Sequence, residues 1–339
     1  MPLKIDVFNH ILPKPFFDRL QSVIVNRGAI KRWLNIPFLH DVDVRFRMLE
    51  EFGGEYRQVL SLSAPPIESI NPDRQITLDL ATLANDSQAE LVRKYPDRFP
   101  GFIASLPLNH PEQSVRELER AVAVLGALGA QVFSNVNGLP LDDERFAPLF
   151  ETAARLACPI LLHPARGAGF ADYPGEAKSK YEVWWTFGWP YETSAAMQRL
   201  VFSRLFDRLP GIKIVAHHLG AMIPYFEGRV GYGLDQLGSR TAGEDYASLL
   251  ASLPKRPYDY FKMFWGDTAV FGSRAAMECG LKFFGMDQVV FASDAPFDPE
   301  GGPLYIRETV KVIDSLDIDE SDRRKIYQAN AERLFNRSF

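Results

Sequence analysis

Eight apolar runs of strand length recur along the chain, and longer stretches with helical spacing lie between them. This alternation restricts the fold more than any other feature. The runs are KIDVFNH (4–10), RQVLSLS (57–63), FPGFIASLPL (99–108), AQVFSNV (130–136), PILLHPA (159–165), IKIVAHHLG (212–220), KMFWGDTA (262–269) and QVVFASDAPF (288–297). Most are nearly continuous in apolar residues, the pattern of strands covered on both faces. Residues 77–95, 110–129, 144–156, 194–209 and 321–335 carry apolar side chains at helical intervals. Strand and helix in alternation predict an α/β chain with a parallel sheet, either a closed (β/α)8 TIM barrel or an open doubly wound sheet. His10, His163, His218 and Asp294 favour the barrel. Each falls near the C-terminal end of an expected strand, and only a barrel brings the first and last of those ends to one mouth. The expectation is a single barrel domain over 1–339, with long connections at about 11–55 and 166–191.

Bulk composition removes several function classes. A formal net charge of −5 argues against a nucleic-acid partner. Two cysteines without a CxxC motif imply no disulfide framework and suit a reducing, cytoplasmic setting. Both are expected as small apolar residues. The N-terminus, with Lys4 and Asp6 in its first strand, does not read as a signal peptide. The weakly polar run AVAVLGALGA is too short to span a bilayer, so no membrane role is expected. The connection 166–191 holds Phe170, Tyr173, Tyr181, Trp184, Trp185, Phe187, Trp189 and Tyr191. They form either a pocket for a flat substrate, with Trp185 as a substrate contact, or a plug or subunit surface.

The chain has six histidines. His40 and His110 lie in loop and helix-start contexts and read as structural. A lone histidine ending an apolar strand is usually a satisfied core residue. Three such strands, with Asp294 closing a fourth, point instead to a shared site. A buried carboxylate needs partners or a metal, and imidazole with carboxylate suits zinc and similar divalent ions. In a regular strand Asp6, Phe8 and His10 share one face. Phe8 offers no ligating atom, and Asp6 sits one layer deeper, in reach only after a backbone shift. Three protein ligands plus water still make a catalytic zinc site.

The order of motifs resembles the amidohydrolase-related decarboxylases typified by aminocarboxymuconate semialdehyde decarboxylase and the γ-resorcylate decarboxylases. IDVFNHILP, ASLPL, LLHP, GWPYETS, IVAHHLGAMIPYFEGR and VVFASDAPF carry the resemblance through most of the chain. It implies a metal-dependent barrel of the hydrolase type, binding zinc or, alternatively, manganese, and acting on a small carboxylic acid. Carried over by position, His10, His163 and Asp294 are the metal ligands, while members of the family place His or Glu where this chain has Phe8. In the resembling enzymes the catalytic histidine stands six residues before a proline and eleven before an arginine; His218 keeps both spacings, to Pro224 and Arg229, so the resemblance implies that His218, together with Asp294, is catalytic. His217 would then face away in a simple strand, unless the strand end is irregular. Arg47 and Arg229 match arginines that hold substrate carboxylate. Arg229 would come from a neighbouring subunit, which implies a homodimer or higher homo-oligomer. Asp267 would orient a ligand or support the mouth. RGAG at 166–169 fits no phosphate loop, and no GxSxG is present. The leading expectation is a lyase that removes CO2 from an aromatic or unsaturated carboxylic acid. A hydrolase or hydratase on the same barrel, and a metal-free barrel with a binding role, are the alternatives.

Overall fold

The computed structural model describes residues 3–339. Eight parallel strands follow in chain order: β1 (Lys4–Ile11), β2 (Tyr56–Leu62), β3 (Gly101–Ala104), β4 (Gly129–Phe133), β5 (Ile160–His163), β6 (Ile214–Ala216), β7 (Trp265–Asp267) and β8 (Val289–Val290). Each pairs with the next. Backbone hydrogen bonds between β1 and the segment after β8 complete the ring. Val7 N donates to Phe291 O at 2.9 Å, Asp294 N to Phe8 O at 3.0 Å, and His10 N to Ala295 O at 2.8 Å. The fold is the expected (β/α)8 TIM barrel, in which every strand except β1 ends before its apolar run does.

The connection 11–55 contains α1 (Lys14–Val23) and α2 (Val42–Leu49). Then come α3 (Arg74–Lys94), α4 (Pro111–Ala123), α5 (Ala147–Arg155), α6 (Gly188–Phe202), α7 (Arg274–Phe284) and α8 (Pro303–Asp314). The helix expected over 110–129 stops early, because Gly126 takes a φ of 76° as the chain turns into β4. The one expected over 194–209 breaks at Arg204, whose φ is 59°. No helix among the described residues is long and apolar enough to cross a membrane.

Neighbouring residues on a strand fall alternately into two buried layers. Val59, Ile103, Leu161, Val215 and Val290 pack inside the barrel, while Leu60, Phe102, Leu162, Ile214 and Val289 pack outward under the helices. Both faces are apolar, which explains the continuous runs. Ala331, Leu334 and Phe335 join the inner layer. Lys213, just before β6, donates to the carbonyls of Arg333 and Leu334, so the C-terminal helical turns plug the end of the barrel opposite the histidines.

β1 departs from strict alternation. Ile5, Val7 and Phe8 all lie in the inner layer, and the pairing with β2 shifts register between Asp6 and Asn9. Asp6 therefore does not share a face with Phe8 and His10, contrary to the regular-strand expectation. Its carboxylate accepts from the Tyr56 hydroxyl and, at 2.5 Å, from Ser293 Oγ. Burial pushes its pKa up to about 6, although these hydrogen bonds oppose the shift. Asn9 Nδ2 donates to the carbonyls of Asp6 and Val59, each at 3.1 Å, and so serves backbone groups around the irregular pairing. Arg45 on α2 then locks the strand. Its guanidinium donates to Asn9 Oδ1 at 2.5 Å, and to His10 O and Gln58 Oε1 at 2.8 Å.

Just beyond β2, Glu68 is buried and its Oε1 has no hydrogen-bond partner among the described residues. Burial pushes its pKa up to about 8. An unfolded chain holds this carboxyl at its ordinary value of 4.5. Between these two pH values the folded protein keeps a proton that the unfolded chain has lost, so stability falls as pH rises, by roughly 3–5 kcal/mol in all. Glu68→Gln is therefore expected to raise Tm at pH 8.5 and to leave it nearly unchanged at pH 4.5 in calorimetry. A gain independent of pH would contradict this.

Candidate metal and catalytic site

β1, β5 and the turn after β6 bring His10, His163 and His217 together at the barrel mouth. One ring nitrogen from each lies within 4.8 Å of the others, and all three side chains are buried. Asp294, after β8, joins them. Its Oδ1 lies 3.0 Å from His10 Nε2 and 3.3 Å from His217 Nε2, and its Oδ2 lies 3.5 Å from His218 Nε2. Residues far apart in sequence thus meet around one small volume.

His217 corrects an expectation: it faces the site. β6 ends at Ala216, and His218, Leu219, Gly220 and Ala221 take left-handed φ values of 56°, 54°, 74° and 55°. Alternation stops where the strand stops, so both rings of the doublet turn inward and stack at 3.9 Å. Packing enforces the turn. Leu219 fits against Gly280 of α7, where a Cβ would sit 2.2 Å from its side chain, and against Gly266 of β7. Asp267 Oδ2 contacts His217 Nδ1 at 2.5 Å, while Asp267 Oδ1 accepts from the backbone N–H of Leu219 and Ala269. Phe8 lies against the other side of the cluster, its ring 4.0 Å from that of His217.

The hydrogen-bond geometry determines which nitrogens carry protons. Nδ1 of His10 lies 3.3 Å from Leu62 O, that of His163 lies 2.7 Å from Pro164 O, and that of His217 meets the Asp267 carboxylate. Each partner is an acceptor, so Nδ1 holds the N–H. A neutral imidazole has only one N–H, which leaves a lone pair on Nε2. His10 and His217 then both point lone pairs at Asp294 Oδ1, itself an acceptor. A positive charge must lie among them, either a proton or a metal ion. By protein contacts alone, burial opposes a proton on His217, but Asp267 and Asp294 outweigh it and push the pKa up to about 9. Burial, with His10 and His217 beside it, holds His163 well below its ordinary value and therefore neutral. Burial also opposes charge on Asp294, yet the imidazoles of His10, His217 and His218 beside it keep it well below the usual carboxylate range. Converging nitrogens, an ionised carboxylate and tautomers set by outer acceptors make a donor set that fits a divalent cation.

His218 sits at the rim. Its Nε2 is buried without a hydrogen-bond partner among the described residues. Burial, and then the charge of His217, lower its pKa below 6.5. The nitrogen faces the cluster, 3.5 Å from Asp294 Oδ2. Three rings line the approach: Phe133 lies 4.9 Å from His163, Phe297 5.4 Å from His10, and Phe271 5.4 Å from His218, centre to centre.

The structure does not bring every expected residue here. Trp185 donates its indole N–H to Glu182 Oε2 at 2.9 Å, and it is Trp189 whose ring lies 5.5 Å from His163. Phe170, Tyr173, Tyr181, Phe187 and Tyr191 are exposed. Arg47 is exposed on α2. Two residues along a helix differ by about 200° in direction, so Arg47 points away from the barrel that Arg45 enters. Arg229 is exposed, its guanidinium 5.4 Å from the Phe226 ring centre. His40 stacks on Phe17, and His110 precedes α4. Cys158 and Cys279 are free, and burial pushes the Cys158 thiol up to about 12, an inert group. His217 and Arg45 are the residues that sequence reasoning missed, and Trp189 was expected only as one of the eight aromatic residues of 166–191. The doublet at 217–218 was the visible signal for the first, and Arg45 had none.

Comparison with known proteins agrees with this geometry. A γ-resorcylate decarboxylase of Rhodococcus jostii is 34% identical, with 96% of this chain and 92% of that protein aligned. A 2-amino-3-carboxymuconate-6-semialdehyde decarboxylase of Dictyostelium discoideum is 29% identical over 97% of this chain and 90% of its own. The crystal structure of a dihydroxybenzoic acid decarboxylase from a Polaromonas species, with bound manganese and the inhibitor 2-nitroresorcinol, superposes with a TM-score of 0.79. It is 29% identical and covers 99% of this chain and 97% of that one. The family described as amidohydrolase matches residues 73–337. With the barrel, the histidine and aspartate cluster at its mouth and this match in hand, the chain belongs to the amidohydrolase family.

Proposed function

We propose that this chain is a metal-dependent, non-oxidative decarboxylase of a hydroxylated aromatic acid. The observation that carries the reading is the convergence of His10, His163 and His217, with Asp294 3.0 Å from His10, beside the Nε2 of His218, which has no hydrogen-bond partner among the described residues. His10, His163 and Asp294 would hold a divalent ion, zinc or manganese, since imidazole and carboxylate suit both. Such an ion supplies a Lewis acid for a substrate oxygen. Trp189, Phe133, Phe297 and Phe271 offer faces and edges to a flat ring and keep water out. His218 delivers the proton. With its pKa held low, it gives up a proton readily once it has one. The proton goes to the ring carbon that bears the carboxylate, the pair of the breaking carbon–carbon bond returns to the ring, and CO2 leaves. Asp294 Oδ2, 3.5 Å from His218 Nε2, aims the imidazole. A second copy of the chain is part of this reading, because Arg229 faces solvent and is available to a neighbour's substrate carboxylate.

The test is CO2 release from a panel of hydroxybenzoates, with protein stripped of metal and then reloaded with manganese or zinc. Release is expected from at least one 2-hydroxylated acid, lost on stripping and restored on reloading. Metal-loaded protein that releases no CO2, or that hydrates or hydrolyses related acids instead, would overturn the assignment.

A further inference from the structure

Phe8 shares the inner face of β1 with His10 and has no atom that can bind a cation. Its ring lies 5.5 Å from that of His10, 5.9 Å from that of His163 and 4.0 Å from that of His217. It therefore fills the floor of the cluster with carbon. His217 reaches the same volume from the other side of the barrel, through the left-handed turn after β6.

Four features set His217 apart from an ordinary packed histidine. Its side chain is fully buried, whereas that of His218 is 12% exposed, so His217 is closed to substrate. Its Nδ1 is held by the Asp267 carboxylate, which backbone N–H groups of Leu219 and Ala269 hold in turn. That contact places the lone pair on Nε2. Nε2 is directed at Asp294 Oδ1, 3.3 Å away, and the ring lies within reach of both other inner histidines. A carboxylate behind an imidazole raises its basicity and fixes its orientation toward a metal.

We infer that His217 is a fourth protein ligand, contributed from the end of β6, with Asp267 as its outer carboxylate and Phe8 as the apolar floor against its ring. The inference rests on the metal reading above and adds a donor to it. The ion's protein ligands are then three imidazoles and one carboxylate: His10, His163, His217 and Asp294. His218 stays outside the set and keeps its nitrogen for proton transfer.

Manganese(II) added to metal-stripped protein is the probe. Pulsed electron paramagnetic resonance counts the imidazole nitrogens bound to it. Three are expected in the parent protein and in His218→Asn, and two in His217→Gln. Chelator competition should show manganese held at least about 100-fold more weakly in His217→Gln, beyond the usual loss from an outer partner. A parent count of two, a count that falls in His218→Asn instead, or unchanged affinity in His217→Gln would overturn the inference. If His217→Gln does not fold, the parent and His218→Asn counts still decide. A parent protein that takes up no manganese sinks the metal reading itself. One that binds it through two imidazoles leaves that reading standing and removes only His217.

Discussion

Replacing His218 by asparagine is expected to lower kcat for decarboxylation by about 10²–10⁴-fold, the usual contribution of a positioned proton donor. In free energy this is roughly 3–5 kcal/mol of lost barrier reduction. The metal content should not change. The geometry separates the two outcomes, because His218 lies at the rim with a free Nε2 while His10, His163 and Asp294 lie beneath it. Asparagine keeps a polar side chain of similar reach at a backbone position whose φ is 56°, a conformation asparagine tolerates well. The fold should therefore survive. KM should move little, since the residue acts on the reacting carbon rather than on uniform binding. Metal analysis alongside steady-state kinetics makes the check. An unchanged kcat would remove His218 from proton transfer, and a fall in bound metal would make it a ligand.

Arg45→Met is expected to cost about 3 kcal/mol or more in urea unfolding, while Arg47→Met stays within about 0.5 kcal/mol. The two residues stand two apart on α2 and face opposite ways. Arg45 is fully buried and serves Asn9 Oδ1, Gln58 Oε1 and His10 O at once. Burial lowers its pKa to about 10, so it still carries its charge at neutral pH. Its charge-assisted hydrogen bonds satisfy acceptors around the irregular pairing in β1, and methionine leaves all three unpaired in a dry interior. Relief of the buried charge offsets part of the loss. The damage should reach the site, since the His10 carbonyl is one of the groups released. Equal effects at both positions would contradict this account.

Much of the barrel was legible because its signal is local. Ile103 and Phe102, or Val215 and Ile214, are adjacent apolar residues that pack into different layers, and both faces leave their mark in the sequence. Three strand ends carrying histidine and a fourth carrying aspartate pointed to the mouth. Facing at those ends was less legible. Regular alternation placed Asp6 beside Phe8 and turned His217 away, and both assignments failed where the backbone ceased to be a regular strand. The direction of Arg47 and Trp185 was hidden for a related reason. Each stands within four residues of the side chain that enters the interior, Arg45 or Trp189, and residue type does not distinguish them.

The sequence by itself determined that strands and helices alternate, that the strands are covered on both faces, and that histidine and aspartate sit where strands end. Those properties depend on spacing along a few neighbouring residues. Only the tertiary structure decided which of those side chains meet. The shift in β1 is stabilised by Arg45 from a helix more than thirty residues away, and the turn that swings His217 inward is held by Leu219 against Gly266 and Gly280. The direction of a side chain at a strand end is set by packing between distant segments, and no local period encodes it.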